Sequence, residues 1–108
     1  MTKSIPKIIA LVMLCVSTTA VAEDTHTVLQ KDKSFSAESL TIKVGDKVSF
    51  ANEDEYFHNV FSLSDTKSFD LGSFAAGEER TVTFDAEGEV EVECAIHPSM
   101  FITIKVEK

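Results

Sequence analysis

The sequence predicts an all-β fold, a sandwich or barrel of about seven to eight short strands, and three observations lead to this prediction. Runs of alternating apolar and polar residues recur along the chain, as expected of strands with one buried face. Turn-forming residues separate these runs roughly every eight to twelve residues. No segment has the apolar period of an amphipathic helix. The 108 residues suit a single domain.

The first four predicted strands are separated by short polar turns. In the second of them, Leu40, Ile42 and Val44 form one face. Gly45 and Asp46 follow as a turn signal, so the second and third strands make either a hairpin-like pair or a corner between two sheets. The four strands are predicted over Thr25–Gln30, Ser39–Val44, Lys47–Asn52 and His58–Leu63.

Four more strands follow, and one of them sets the direction of a cysteine. Val90 and Val92 share one face with Cys94, while three glutamates occupy the other face of the same run. This alternation turns Cys94 inward. Because an isolated buried charge is very costly, a thiolate at Cys94 requires a cation beside it. The four strands are predicted over Phe69–Phe74, Arg80–Phe84, Glu89–Cys94 and Met100–Val106.

The first 22 residues have the pattern of a secretory signal peptide. Lys3 and Lys7 precede an apolar run, and small residues lead to an Ala-Val-Ala sequence that ends at Ala22. The apolar run is shorter than the roughly 20 residues that span a bilayer, so we expect cleavage rather than stable membrane insertion. The sequence therefore predicts a signal peptide over residues 1–22 and one exported domain over residues 23–108.

The charge of the predicted mature domain excludes one class of partner. Loss of two lysines with the signal changes the formal net charge from −8 to −10. A strongly acidic domain does not bind nucleic acid phosphates and instead suits a basic partner surface. We interpret the acidic runs Glu53–Glu55 and Glu89–Glu93 as solvated faces. The first run, close to His58 in sequence, is an alternative docking patch for a partner.

Cys94 has no cysteine partner once the signal peptide, with Cys15, is removed. Exported proteins usually pair their cysteines, so a single thiol is intermolecular, reactive or protected by a metal. His97 and Met100 follow Cys94 at intervals of three residues. A thiolate, an imidazole and a thioether form a soft donor set that favours copper. We therefore predict a copper site in this loop.

A trigonal site of two histidines and one cysteine with a weak axial methionine is the blue-copper arrangement, so one more histidine is needed. His26 lies close to the predicted mature N-terminus, where chains fray, and we take it as solvated. His58 begins a strand, and Asn59 after it can support the site by hydrogen bonds. The predicted ligands are thus His58, Cys94, His97 and Met100. Zinc is the competing metal, although methionine is a poor zinc ligand.

The chain resembles the small blue-copper proteins, the cupredoxins of the plastocyanin, pseudoazurin and amicyanin group. The resemblance rests on the stretches SLTIKVGDKVSFANED, FHNVFS and CAIHPSM and covers the whole predicted domain. The spacing from Cys94 through His97 to Met100 is most similar to amicyanin. The resemblance implies an eight-stranded Greek-key sandwich, electron transfer and one copper ion bound by these four residues.

The function expected from this resemblance is that of a periplasmic one-electron carrier and not of an enzyme. We expect a monomer that docks transiently with redox proteins through the exposed edge of His97, beside Ile96 and Pro98. One alternative is a periplasmic copper chaperone or storage module that uses the same residues in a looser site. A second alternative is a metal-free interaction domain, against which the retained donor residues argue.

Overall fold

The computed structural model describes residues 23–108, and the predicted signal peptide over residues 1–22 lies outside them. The described chain is made of strands and turns and contains no helix. The nine strands are β1 (Thr25–Lys31), β2 (Ser34–Phe35), β3 (Ser39–Lys43), β4 (Lys47–Asn52), β5 (His58–Ser62), β6 (Phe69–Phe74), β7 (Glu79–Thr83), β8 (Gly88–Cys94) and β9 (Phe101–Glu107). In this part of the chain there is accordingly no helix that is long and apolar enough to cross a membrane.

The strands form two sheets, which confirms the predicted Greek-key sandwich. One sheet has the order β2-β1-β4-β7, and the other has the order β3-β9-β8-β5-β6. Two of the neighbouring pairs, β1 with β4 and β3 with β9, are parallel, so the chain crosses between the sheets several times. The sequence did not predict β2, because two residues are too few to show an alternating pattern.

The connection between β3 and β4 is the corner between sheets, the second of the two geometries that the sequence allowed. Gly45 at this corner has φ of 95°, a conformation that favours glycine. The Asp46 carboxylate accepts hydrogen bonds from the backbone N–H groups of Lys43 and Asp24, at 3.0 and 3.2 Å. His26 Nε2 lies 2.9 Å from the same carboxylate. Our interpretation of His26 as solvated was wrong, because it binds a buried acid.

The core lies between the two sheets, and β8 contributes to it as its alternation predicts. Val90, Val92 and Cys94 are buried, whereas Glu89 and Glu91 on the opposite face are exposed. Large side chains from both sheets fill the interior. They include Phe50, Phe74, Phe84, Met100, Ile102 and Ile104, each with at most 1% of its surface exposed.

Candidate metal centre

Two neighbouring strands bring the first pair of predicted ligands to the same end of the sandwich. β5 begins at His58, β8 ends at Cys94, and the two strands are antiparallel with Val60 opposite Cys94. Both side chains point into the core, and their exposed fractions are 0% for His58 and 2% for Cys94. Strand pairing therefore brings together two residues that are 36 positions apart in the sequence.

The loop between β8 and β9 brings His97 to the same point. The backbone N–H of Met100 donates to the carbonyl of His97 at 2.9 Å and closes a tight turn around Pro98. The His97 ring packs edge-on against the His58 ring with their centroids 4.9 Å apart. His97 is partly exposed, whereas His58 is buried. The ring of His97 is thus the part of the cluster that approaches solvent.

Three donor atoms form a small triangle at this end of the fold. Cys94 Sγ lies 3.7 Å from His58 Nδ1 and 3.8 Å from His97 Nδ1, and the two nitrogens are 3.2 Å apart. A point equidistant from these atoms lies about 2.1 Å from each of them, comparable with metal–nitrogen and metal–sulfur bonds of about 2.0–2.3 Å. Among the described residues, this is the cluster of histidine, cysteine and carboxylate groups that could hold a metal ion.

Met100 occupies the last position of the loop, directly before β9. Its side chain is 0% exposed and belongs to the apolar core. The structure thus places Met100 on the segment that carries Cys94 and His97, at the end of the sandwich where the three donor atoms meet. Because its side chain is buried among apolar residues, Met100 also contributes to the packing of the core.

Asn59 connects the two ligand-bearing segments through its backbone. Its N–H donates to Cys94 Sγ at 3.4 Å, and its carbonyl accepts from the N–H of Ala95 at 3.1 Å. The sequence predicted that Asn59 ties these segments together by hydrogen bonds, and its backbone makes them. The buried side-chain oxygen of Asn59 has no hydrogen-bond partner among the described residues. The N–H of Asn59 thus places a hydrogen-bond donor beside the sulfur and links the start of β5 to the end of β8.

Asp54 is a member of the site that the sequence analysis missed. Its Oδ2 lies 2.7 Å from His58 Nε2, on the side of the ring opposite the triangle. The Asp54 side chain is 6% exposed, so its assignment to a solvated acidic run was wrong, although Glu53 and Glu55 are exposed. The signal available in the sequence was the spacing of four residues between this acid and His58.

The electrostatic environment keeps Asp54 ionised. Burial raises the pKa of its carboxyl, but hydrogen bonds from the backbone N–H of Lys33, from His58 and from the N–H of Asp32 outweigh burial and leave the pKa below its usual range. A carboxylate that accepts a hydrogen bond from a ligand histidine fixes the orientation of the ring and raises the basicity of its other nitrogen.

The three donor atoms are one thiolate sulfur and two imidazole nitrogens. Thiolate and imidazole are suitable ligands for copper, so the donor set fits a soft metal ion of this kind.

Comparison with known proteins identifies the family. Residues 22–107 match the family described as copper binding proteins, plastocyanin/azurin family. The chain belongs to this family of copper-binding proteins. Family membership, together with the His-Cys-His cluster, confirms the predicted cofactor, a single copper ion.

Solved structures with the same fold include amicyanins, as the ligand loop indicated. A reduced tryptophan-to-tyrosine variant of amicyanin superposes with a TM-score of 0.72 and 24% identity, covering 82% of this chain and 87% of that one. A reduced Cu(I) form at pH 4 of a proline-to-glycine variant of amicyanin gives the same values. At this level of identity the likeness shows the fold.

A larger protein contains a similar domain. The copper-containing nitrite reductase NirK from Thermus scotoductus SA-01 matches 78% of this chain with a TM-score of 0.72 and 29% identity. This chain spans 22% of the length of that protein. No curated protein sequence matches this chain.

Proposed function

We propose that this protein is a periplasmic one-electron carrier whose copper ion would be held by His58, Cys94 and His97, with Met100 as a weaker fourth ligand. The observation that carries the proposal is the triangle of donor atoms, with sides of 3.2 to 3.8 Å. Bound copper supplies the one-electron couple between Cu(II) and Cu(I). The residues present the same donors to both oxidation states, so little rearrangement accompanies electron transfer.

The surface around His97 supports transient docking with redox proteins. Ile96 beside it is 51% exposed, and Phe57, which precedes the ligand His58, is 59% exposed. Tyr56 and Phe101, also on the two ligand-bearing segments, are 51% and 43% exposed. Exposed apolar side chains next to the ligands along the chain suit a small, short-lived interface of the kind redox proteins form.

The visible and electron-paramagnetic spectra of copper-loaded protein spanning residues 23–108 test the proposal. We expect an intense thiolate-to-copper absorption in the red and a narrow copper hyperfine splitting. The Cys94→Ser variant provides the control and should lose the intense band, because the thiolate is its source. A wild-type protein that binds copper with only a weak visible band contradicts the proposal.

A copper chaperone or storage protein is the second candidate function. The partial exposure of His97 favours it, since a ligand that reaches solvent is accessible to a protein that receives the copper. Copper exchange with an apo-protein competitor distinguishes the candidates. A carrier retains its copper over many reduction and oxidation cycles, whereas a chaperone transfers it within a few minutes.

The proposed location and form of the protein follow from the sequence. We propose export by the signal over residues 1–22, cleavage after Ala22, and a monomer in the periplasm that is not an enzyme. The mass and N-terminal sequence of protein recovered from a periplasmic extract test the cleavage, with Glu23 expected as the first residue. Recovery of the uncleaved chain in the membrane fraction contradicts it.

A further inference from the structure

The turn between β1 and β2 has an uncommon backbone conformation. Asp32 and Lys33, the two turn residues, have φ of 52° and 57°, although neither is glycine. Such left-handed residues are disfavoured by contacts of Cβ and cost on the order of 1 kcal/mol each. The pairing of Lys31 with Ser34 leaves Asp32 and Lys33 as a two-residue hairpin loop, and such a loop requires φ above zero at both positions.

The conformation directs two backbone N–H groups at one carboxylate. Asp32 N–H donates to Asp54 Oδ1 at 2.6 Å, and Lys33 N–H donates to Asp54 Oδ2 at 3.0 Å. Successive N–H groups in a turn form a concave site that suits an anion. The turn thus clasps both oxygens of Asp54, and the carboxylate cannot rotate without breaking one of these hydrogen bonds.

The backbone of Asp54 is held as firmly as its side chain. Its N–H donates to Asn52 Oδ1 at 2.8 Å. Asn52 Nδ2 in turn donates to the carbonyls of Tyr56 and Phe74 at 2.7 and 3.1 Å. The loop between β4 and β5 is consequently tied to β6, and Asp54 has one position relative to His58.

This position determines which nitrogen of His58 carries a proton. A carboxylate only accepts hydrogen bonds, so the contact of 2.7 Å between Asp54 Oδ2 and His58 requires a proton on Nε2. In a neutral imidazole the other nitrogen, Nδ1, then has a free lone pair. Nδ1 is the atom of His58 that faces Cys94 and His97.

We propose that Asp54, clasped by the Asp32–Lys33 turn, is a positioning residue that holds His58 in the Nε2–H tautomer and keeps its Nδ1 lone pair directed at the donor triangle before copper binds. The inference rests on the proposed role of His58 as a ligand. Without an acceptor at Asp54, the ring is free to carry its proton on Nδ1, where the proton occupies the triangle and competes with copper.

The tautomer of His58 in metal-free protein is the direct test. Two-dimensional nitrogen NMR of apo-protein spanning residues 23–108 distinguishes Nε2–H from Nδ1–H by the nitrogen chemical shifts. We expect the Nε2–H form alone in the wild type and a measurable fraction of the Nδ1–H form in Asp54→Ala and Asp54→Asn. A wild-type protein that carries the proton on Nδ1 overturns the proposal, whether or not either variant folds.

Copper affinity provides the second measurement. Removal of a carboxylate behind a ligand histidine typically lowers metal affinity about 10- to 100-fold, so we expect a loss in that range for Asp54→Ala, measured by chelator competition. The conservative Asp54→Glu change restores a carboxylate and should recover part of the affinity. Unchanged affinity in a folded Asp54→Ala protein contradicts the proposal.

Asp46 offers a matched control at the β3–β4 corner. Like Asp54, it is a buried carboxylate that accepts from two backbone N–H groups and lies against a histidine nitrogen. Asp46→Ala should destabilise the fold but change neither the tautomer of His58 nor the copper affinity. If Asp46→Ala lowers copper affinity as much as Asp54→Ala does, the role of Asp54 is merely structural.

A substitution in the Asp32–Lys33 turn distinguishes the effect of its N–H groups on Asp54 from the cost of its left-handed backbone conformation. Lys33→Gly retains the N–H group and relieves the left-handed conformation, so we expect an unchanged tautomer, unchanged copper affinity and higher stability. A loss of affinity in this variant contradicts the role of the N–H group. These readouts do not depend on electron transfer: a metal-loaded protein without blue-copper spectra overturns the proposed function and leaves the tautomer measurement valid.

Discussion

Met100 shows how one residue serves the core and the site together. It is 0% exposed, packs in the apolar core and follows the proposed ligand His97 by three residues. A substitution therefore changes the packing as well as the metal environment. The two effects can be separated because stability is measured on metal-free protein.

We predict that Met100→Ala lowers the free energy of unfolding of apo-protein by about 2–5 kcal/mol, because it removes a buried side chain and leaves a cavity. Met100→Leu conserves the volume and should cost less than about 1.5 kcal/mol. Urea denaturation measures both. With copper bound, Met100→Leu should still shift the reduction potential, since it removes the sulfur of the proposed fourth ligand. An unchanged potential contradicts a role of Met100 as a ligand.

Asp46 makes the stability of the fold sensitive to acid. The hydrogen bond with His26 lowers the pKa of Asp46 most, and the hydrogen bonds from the N–H groups of Lys43 and Asp24 lower it further. Together they outweigh the effect of burial, so the pKa of Asp46 lies below its usual range. Because the folded-state pKa is depressed, this contribution is fully present above the unfolded pKa of about 4 and is lost as the pH falls through the folded value.

We therefore expect the free energy of unfolding of the wild type to fall below about pH 4, and to fall less steeply in Asp46→Asn. Chemical denaturation at a series of pH values from about 2 to 7 measures the two slopes. Asp85→Asn is the control, since the Asp85 side chain is 72% exposed. Equal slopes for Asp46→Asn and wild type would falsify this assignment.

At the scale of the strands, the alternation of apolar and polar residues was sufficient to predict each strand that has one buried face. The sequence predicted β4 and β6 with their observed bounds, β8 within one residue at its start, and β9 within one residue at each end. It also predicted which face of β8 carries Cys94. Strand pairing and β2 could not be predicted, because pairing depends on contacts between residues far apart in the sequence.

The candidate site was predictable to a similar extent. The spacing of Cys94, His97 and Met100 marks a soft metal site locally, and the structure brings His58 to the same point. Asp54 was not predicted, because its burial depends on a turn 21 and 22 positions away that offers two N–H groups. A sequence shows an acid between two other acids, and only the fold shows which of the three is buried.

The start of β8 depends on a glycine with two separate requirements. Gly88 has φ of 139°, and a Cβ added there would lie 2.7 Å from Thr66 Oγ1. We predict that Gly88→Ala lowers the free energy of unfolding by about 1–3 kcal/mol through strain and this clash. Thermal or urea unfolding measures the loss.

Two further variants separate the causes at Gly88. Gly45→Ala meets nothing within 4 Å and should show the cost of φ alone. Thr66→Ala combined with Gly88→Ala should recover the part of the loss that is due to the clash. If the double variant is no more stable than Gly88→Ala, contact with Thr66 contributes nothing.

At the scale of the whole molecule, charge governs association. The predicted mature domain has a formal net charge of −10. We expect its electron-transfer rate with a basic cytochrome c to fall as salt rises from about 0.01 to 0.15 M, since the Debye length shortens from about 30 to 8 Å. Ferricyanide, an anionic probe, should show the opposite trend. Stopped-flow measurement of both rates checks this, and a salt-independent rate with the cytochrome contradicts it.

The position of β9 inside its sheet has a consequence for how the protein is made. β9 pairs with β3 on one side and with β8 on the other, so the five-stranded sheet is split into two parts until residues 101–107 have left the ribosome. A chain that ends before residue 101 lacks the strand that joins β3 to β8, β5 and β6. We therefore expect the five-stranded sheet to close, and the domain to reach its stable fold, only after this last strand has been synthesised.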